Sequence, residues 1–155
     1  MKLLCGLLVA MAVVIMGANE LKAKDLPNLV PKGVTATPPR TPMLGRDWKE
    51  NIVKLQVVNI GKGKAGGQLT YIEIKKENAP ANESPWLQYP VRVPPLGPGE
   101  AYDIGPIEFG EFSQGHGVEI QDLREFQLVV IVDAKNMVKE SNEDDNIFAK
   151  NFEIR

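Results

Sequence analysis

Apolar residues along this chain recur with the period of extended strands. In residues 50–59, Val53, Leu55 and Val57 alternate with polar neighbours, which is typical of a strand with one buried face. From residue 24 onward, no window of helical length keeps a 3.6-residue period. The pattern predicts seven strands, at residues 29–36, 50–59, 68–76, 86–93, 101–109, 126–132 and 147–154.

Glycine and proline separate these strands, and the chain holds 14 glycines and 12 prolines. Short strands between such turns favour an all-β fold, an antiparallel β-sandwich. Pro31 removes a ladder donor from the first strand, which we therefore expect at a sheet edge or with a break. The glycine-rich residues 59–67 are interpreted as a hairpin loop. They contain no G-x-x-x-x-G-K-[ST] phosphate loop.

The strand at residues 126–132 is almost wholly apolar, with Gln127 its only polar residue. A strand of this kind is predicted to be central and covered on both faces. Alternation within this strand and the last one predicts five largely buried side chains: Phe126, Leu128, Val130, Phe148 and Phe152.

The N-terminus has the pattern of a secretory signal peptide. Lys2 precedes an uncharged apolar run at residues 3–16, and small residues suited to cleavage follow at Gly17, Ala18 and Ala23. We therefore expect a signal peptide at residues 1–23, with an uncertain cleavage site, and one domain at residues 24–155. The expected location is secreted or periplasmic. Cys5, the only cysteine, lies too early in the apolar run for a lipoprotein anchor.

Overall composition excludes some classes of function. A hydrophobic share of 43% and a charged share of 25% are those of a folded globular domain. The net charge of −2 lacks the basic footprint of a nucleic-acid binder. No membrane span is expected to remain after signal removal.

Catalytic chemistry has few candidates. His116 is the only histidine, and it lies in a glycine-containing polar stretch without a second histidine or a mature-domain cysteine. None of Ser84, Ser113 and Ser141 lies in a G-x-S-x-G context. A non-enzymatic protein without a cofactor is therefore expected, and an enzyme that uses carboxylates alone is a distant alternative.

Residues 133–146, called the acidic turn below, are the most informative stretch. Their five carboxylates are Asp133, Glu140, Glu143, Asp144 and Asp145. Asp and Asn side chains accept backbone N–H groups in tight turns and tolerate left-handed conformations. In this interpretation Asp133 caps a first turn, Asn136 takes the left-handed position, and Asn142, Glu143 and Asn146 fasten a second turn. The alternative is a calcium site, since calcium takes six to eight oxygen ligands, but the EF-hand spacing is absent.

Trp48 and Trp86 allow a further alternative. A sandwich core would bury one of them, whereas an exposed Trp86 beside Tyr89 could form a platform for a sugar.

Four segments resemble the CARDB family (cell-adhesion-related domains found in bacteria). The acidic turn resembles its closing signature V-D-x-x-N-x-V-x-E-x-x-E-x-N-N, with Asp145 in place of the first Asn of the final pair. Residues 26–30 resemble its opening D-L-V strand, residues 57–61 its V-x-N-x-G turn, and residues 96–100 its L-x-P-G-E turn. The matched signature residues are Asp133, Asn136, Glu140, Asn142, Glu143 and Asn146.

The resemblance implies an immunoglobulin-like sandwich of about seven strands that acts outside the cytoplasm as a structural or adhesive module. The leading hypothesis is a secreted or periplasmic module that binds another envelope or extracellular protein or the cell surface. The alternative is a small-ligand module for carbohydrate or calcium. The signature residues are expected to be structural, with no metal bound. The oligomeric state stays open.

Signal cleavage gives a first testable prediction. The mature protein should begin between Ala18 and Lys24, because the charged and apolar regions end before these small residues. Mass spectrometry of the purified native protein measures its N-terminus. Soluble cytoplasmic protein that keeps Met1 would contradict the prediction.

Overall fold

The computed structural model describes residues 25–37, 51–80, 82–114 and 125–153. The expected signal peptide, Trp48 and His116 lie outside these ranges. The described residues form eight strands: β1 (Leu29–Thr37), β2 (Ile52–Asn59), β3 (Gln68–Lys76), β4 (Leu87–Val93), β5 (Ala101–Glu108), β6 (Ser113–Gln114), β7 (Glu125–Ile131) and β8 (Ile147–Glu153).

The strands form two antiparallel sheets. One has the order β1-β2-β5, and the other has the order β6-β4-β3-β7-β8. Buried apolar side chains from both sheets form the core between them. The predicted all-β antiparallel sandwich is confirmed, and the seven expected strands are joined by the two-residue β6. No helix in the described ranges is long and apolar enough to cross a membrane.

Strand β2 shows how the sequence pattern builds the core. Val53, Leu55 and Val57 are buried, whereas Lys54 and Gln56 between them are exposed. Because β2 is the middle strand of its sheet, its core-facing side chains are enclosed by those of β1 and β5. The predicted alternation is confirmed here.

Strand β7 lies between β3 and β8, as its apolar composition predicted. Phe126, Leu128 and Val130 are at most 1% exposed. Phe148 and Phe152, predicted to be largely buried, are partly buried and pack against the core. Both lie on β8, which has no neighbouring strand on one side within the described ranges.

The proline in the first strand has the effect expected of it. Strand β1 lies at the edge of the three-stranded sheet, and its pairing with β2 becomes irregular between Lys32 and Thr35. Gly33, between these two positions, has a φ of 60°. The absence of a side chain there allows the left-handed conformation that the irregularity uses.

The glycine-rich loop at residues 59–67, called the glycine loop below, is not a hairpin, and that prediction is wrong. Strands β2 and β3, which it joins, belong to different sheets. Its glycines allow close backbone approach: a Cβ on Gly61 would lie 2.4 Å from the Asn28 nitrogen, and one on Gly63 would lie 2.0 Å from the Asp25 oxygen. The loop therefore crosses between the sheets and presses against the start of the domain.

A 3-10 helix at Phe109–Glu111, which the sequence pattern did not predict, follows β5 at the end of the sandwich opposite the glycine loop. It positions Phe109 and Phe112, whose ring centroids are 5.7 Å apart. Phe109 also contacts Phe126 edge-on at 5.4 Å, and Phe126 stacks on Phe152 at 5.8 Å. Such aromatic pairs stabilise a core beyond the area they bury.

The burial of β7 gives a second prediction. Leu128→Ala should lower the free energy of unfolding by about 2 to 5 kcal/mol, because it removes buried methyl groups and leaves a cavity. Denaturant melts measure the loss. Met137→Ala, at a side chain that is 64% exposed, is the control and should change stability by less than about 0.5 kcal/mol. A loss below about 1 kcal/mol for Leu128→Ala would contradict a central β7.

Candidate functional site

The acidic turn joins β7 to β8 at one end of the sandwich. The start of β1 and the loop after β2 lie at the same end, because hydrogen bonds join the first to the acidic turn and the second to residues 26–29. Two further segments complete this end: residues 26–29, called the entry segment below, and the turn at residues 94–100. Polar side chains from the acidic turn and β2 connect these segments.

Asp133 holds the first half of the acidic turn. Its Oδ1 accepts the N–H of Met137 at 2.9 Å, and its Oδ2 accepts the N–H of Val138 at 2.7 Å. Its own N–H donates to Gln68 Oε1 at 3.0 Å. Asp133 is 1% exposed, so its carboxylate takes these donors in place of water, and the bond from Val138 is itself buried. Asp133 therefore acts as a local template for the turn.

Asn136 follows in the left-handed conformation, with a φ of 48°, and Asp133 has a φ of 45°. The N–H of Asn136 donates to the Asp133 carbonyl at 2.8 Å, which closes the turn. Asn and Asp adopt such φ values more readily than most residues. The turn thus needs these residue types both for conformation and for hydrogen bonding.

Glu140 connects the second half of the acidic turn to β1. Its Oε2 accepts the N–H of Leu29, and its Oε1 accepts Asn146 Nδ2 at 2.9 Å. The N–H of Glu140 in turn donates to Glu143 Oε1 at 2.9 Å. Asn142 Oδ1 accepts the N–H of Asp144 at 3.2 Å. All six signature residues therefore lie in one turn, and each takes part in its hydrogen bonds.

Burial raises the pKa of Glu140 from its ordinary value of 4.5 to about 7. Removal of the carboxylate from water is the main cause, and the nearby Glu143 and Asp133 carboxylates add to it. The hydrogen bonds from Leu29 and Asn146 act in the opposite direction, because they favour the charged form. The side chain that binds the start of β1 therefore titrates near neutral pH.

The entry segment is held on two sides. From the acidic turn, the N–H of Ser141 donates to the Pro27 carbonyl at 2.9 Å, and Asp145 Oδ2 accepts Asn28 Nδ2 at 3.1 Å. From the glycine loop, the N–H of Ile60 donates to the Asn28 carbonyl at 2.7 Å. The first residues of the domain are thus fastened by segments more than 30 and 110 positions away.

Asn59 is a buried polar centre that the sequence analysis did not single out as a site residue. Its Oδ1 accepts N–H groups from Asn28 and Gly61, at 3.1 and 3.0 Å. Its Nδ2 donates to the carbonyls of Gly63 and Leu96, at 2.8 and 3.1 Å. Side-chain bonds from this one residue reach the entry segment, the glycine loop and the turn at residues 94–100. The available signal was an asparagine that ends an apolar strand two residues before a glycine.

Each Asp133 oxygen accepts one backbone amide, which uses part of the acceptor capacity of that carboxylate. Within the described ranges, no group of three His, Cys, Asp or Glu side chains is arranged to hold a metal ion. Three buried oxygens in or near the entry segment accept no hydrogen bond from any described residue: Asn28 Oδ1, Asp145 Oδ1 and Asn146 Oδ1. The calcium alternative therefore calls for a direct measurement.

The aromatic residues proposed as a sugar platform pack inward. The ring of Tyr89 lies 5.4 Å from that of Phe112, and Trp86 is partly buried against the core. Neither ring is fully exposed. A groove of about 370 Å³ beside the acidic turn has a different lining, of Gly67, Gln68, Leu69, Arg92, Val93 and Met137.

The contacts of Asp133 give a third prediction. Asp133→Ala should cost about 1 to 3 kcal/mol of stability, because two amides lose their acceptors. The loss should be equal in chelator and in millimolar calcium, as measured by thermal melts. Asp144→Ala, at an exposed carboxylate in the same turn, is the control. If calcium binds, it should instead add about 2.7 kcal/mol to the wild type at a hundred times its dissociation constant. A calcium-dependent rise that Asp133→Ala erases would contradict the prediction.

The raised pKa of Glu140 gives a fourth prediction. Between pH 4.5 and about 7 the folded state binds more protons at this group than the unfolded state does, so its contribution to stability falls as pH rises. The stability of the wild type relative to Glu140→Gln should therefore decline by about 2 to 3 kcal/mol across this window. Denaturant unfolding at a series of pH values measures the difference.

The control for this fourth prediction is Asp144→Asn, which removes one exposed carboxylate from the same turn. A pH dependence of Glu140→Gln equal to that of the wild type would contradict the prediction.

Comparison with known proteins supplies the family. The CARDB family model matches residues 26–150. A CARDB domain from Pyrococcus furiosus, solved in complex with di-metal ions, is 17% identical with a TM-score of 0.46, and the match covers 83% of this chain and 89% of that one.

A second solved structure, β-glucosidase 3B from Thermotoga neapolitana in complex with α-D-glucose, is 14% identical with a TM-score of 0.45. That match covers 82% of this chain but only 16% of the glucosidase. No curated protein matches. Because the family model covers most of the chain, from the entry segment through the acidic turn into β8, the protein belongs to the CARDB family.

Proposed function

We propose that this protein is an extracytoplasmic, non-enzymatic interaction module that binds another protein of the envelope or the cell surface. The signal-peptide pattern at residues 1–23 supports the location, and so does membership of a family of β-sandwich modules. The sequence offers no pairing of a nucleophile with a base, which supports a role in binding.

One observation carries the proposal of a protein partner. The large apolar side chains that are most exposed in the described ranges are Ile60 at 50%, Met137 at 64% and Ile147 at 60%. All three lie in or beside the turns at the same end of the sandwich, in the glycine loop, in the acidic turn and at the first position of β8. Exposed apolar residues collected in one region favour contact with another macromolecule.

The signature residues have a structural role in this proposal. The bonds of Asp133, Glu140 and Asn146 are made within the domain, so the acidic turn shapes the surface and its backbone presents Met137. The alternative of a carbohydrate module lacks a fully exposed aromatic ring among the described residues, because Trp86 and Tyr89 pack against the core. The calcium alternative is tested by the thermal melts described above.

The proposal predicts specific capture of an envelope protein. The purified protein, immobilised and exposed to the envelope fraction of its own cells, should retain a defined partner, and Met137→Glu with Ile60→Glu should weaken that capture about tenfold or more. Lys54→Glu, at an exposed position on β2, is the control. Quantitative mass spectrometry measures the retained protein. Binding of a glycan array, lost in Trp86→Ala, with no retained protein would instead favour the carbohydrate alternative.

A further inference from the structure

The free edges of the two sheets differ in their protection. Within the described residues, strands β1 and β5 are the edges of one sheet, and β8 is an edge of the other. At the remaining edge, β6 pairs with Leu87 and Gln88, and no other described residue pairs with that side of β4. Unpaired strand edges can pair with other chains, and proteins commonly block them with proline, bulges or charge.

Three of these edges are interrupted. Strand β1 contains Pro31 and an irregular register, and β4 contains Pro90. Strand β5 contains Gly105 and Pro106, and its register with β2 shifts between Val53 and Leu55. Proline lacks an N–H and a bulge bends the strand, so each feature opposes the addition of another strand.

Strand β8 has neither feature. Its seven residues, IFAKNFE, pair with β7 in unbroken register and contain no proline. The N–H of Val132 donates to the Asn146 carbonyl at 2.8 Å, which sets the phase of the ladder. Because bonded pairs alternate along an antiparallel ladder, the N–H and C=O groups of Ile147, Ala149 and Asn151 point away from β7. Those three residues and Lys150 are exposed.

The side chains of β8 define what could pair with it. Phe148 and Phe152 are partly buried on the inner face, with Lys150 midway between them. The Lys150 ammonium lies 5.4 Å from the centroid of the Phe152 ring and is therefore held at this edge. An added strand gains most if it places a carboxylate opposite Lys150 and apolar side chains on either side.

The same charge disfavours a second copy of the chain. If two β8 strands paired antiparallel in full overlap, Ile147 would lie opposite Glu153 and Lys150 opposite its own counterpart. Like charges directly opposite each other destabilise a strand pair. Lys150 thus acts against self-association while it favours an acidic partner.

We propose that the free edge of β8 is a strand-addition site for an extended segment of a partner protein, with a carboxylate opposite Lys150 between apolar residues. This inference rests on the proposed function, since it assigns the surface that the partner uses. Strand addition supplies affinity through backbone bonds and selectivity through alternate side chains.

Two labelled nine-residue peptides test the site by fluorescence anisotropy with the full protein. In both, valine lies two and four positions from the centre on each side, and threonine fills the other flanking positions. The central residue is glutamate in one peptide and lysine in the other. The glutamate peptide should bind about fivefold more tightly than the lysine peptide. Lys150→Glu should reverse this preference, whereas Arg92→Glu, the same charge change on the β4 edge, should leave it unchanged.

Ala149→Pro tests the backbone contribution. The N–H of Ala149 points away from β7, so proline removes an outward donor while the β7 ladder stays intact. Binding of both peptides should weaken about tenfold or more. Equal binding by Ala149→Pro, or equal binding of the two peptides by the wild type, would overturn the proposal. If Ala149→Pro does not fold, the reversal by Lys150→Glu decides the outcome.

Sedimentation of the wild type tests whether a second copy of the chain occupies the β8 edge. A dimer that Ala149→Pro dissociates would mean that a second copy takes the edge, which overturns the proposal of a different partner. Failure of this inference is distinct from failure of the proposed function: an envelope protein captured equally by wild type and Ala149→Pro leaves the function standing and removes only the β8 site. Expected instead is a captured protein that Ala149→Pro loses.

Discussion

The fold depends on satisfying buried backbone groups where the chain enters the sandwich. Residues 26–29 run between the glycine loop and the acidic turn, and Asn28 and Leu29 are almost fully buried. Buried amides without acceptors are costly, so this segment stays folded only if other residues supply them. Asn59 supplies one acceptor and Glu140 the other, and both belong to turns that are distant in sequence. The two turns and the start of β1 are therefore mutually dependent.

The charged form of Glu140 is unfavourable in this buried position. Two donors favour its charged form, while burial and neighbouring carboxylates oppose it, with the balance toward a pKa of about 7. A glutamine at this position would carry no charge, yet it would turn an amide N–H₂ toward either the Leu29 N–H or Asn146 Nδ2. A carboxyl group presents an oxygen to both donors, which explains why a glutamate is used at a site that disfavours its charged form.

Local patterns predicted the strands because alternation and proline act within one segment. The burial of Val53, Leu55 and Val57 and the edge position of β1 follow from such patterns. Close approach between segments left no local signal: Gly61 and Gly63 suggested a turn, whereas the structure shows backbone of the entry segment against them. The buried ion pair of Glu73 and Lys75, 3.3 Å apart on the outward face of β3, was missed for a different reason. A charged residue in a strand usually indicates a face in water.

The acidic turn also determines which groups β8 presents. Asp133 fixes where β7 ends, and the bond from Val132 to Asn146 fixes where β8 begins in relation to it. A shift of one residue in that register would turn toward β7 the β8 backbone groups that now point away from it, and turn the others away. It would also move Lys150 to the opposite face of the sheet. The turn would then alter the exposed edge without contacting anything bound there. The CARDB signature can thus be structural in each of its contacts while it still determines the chemistry of the neighbouring surface.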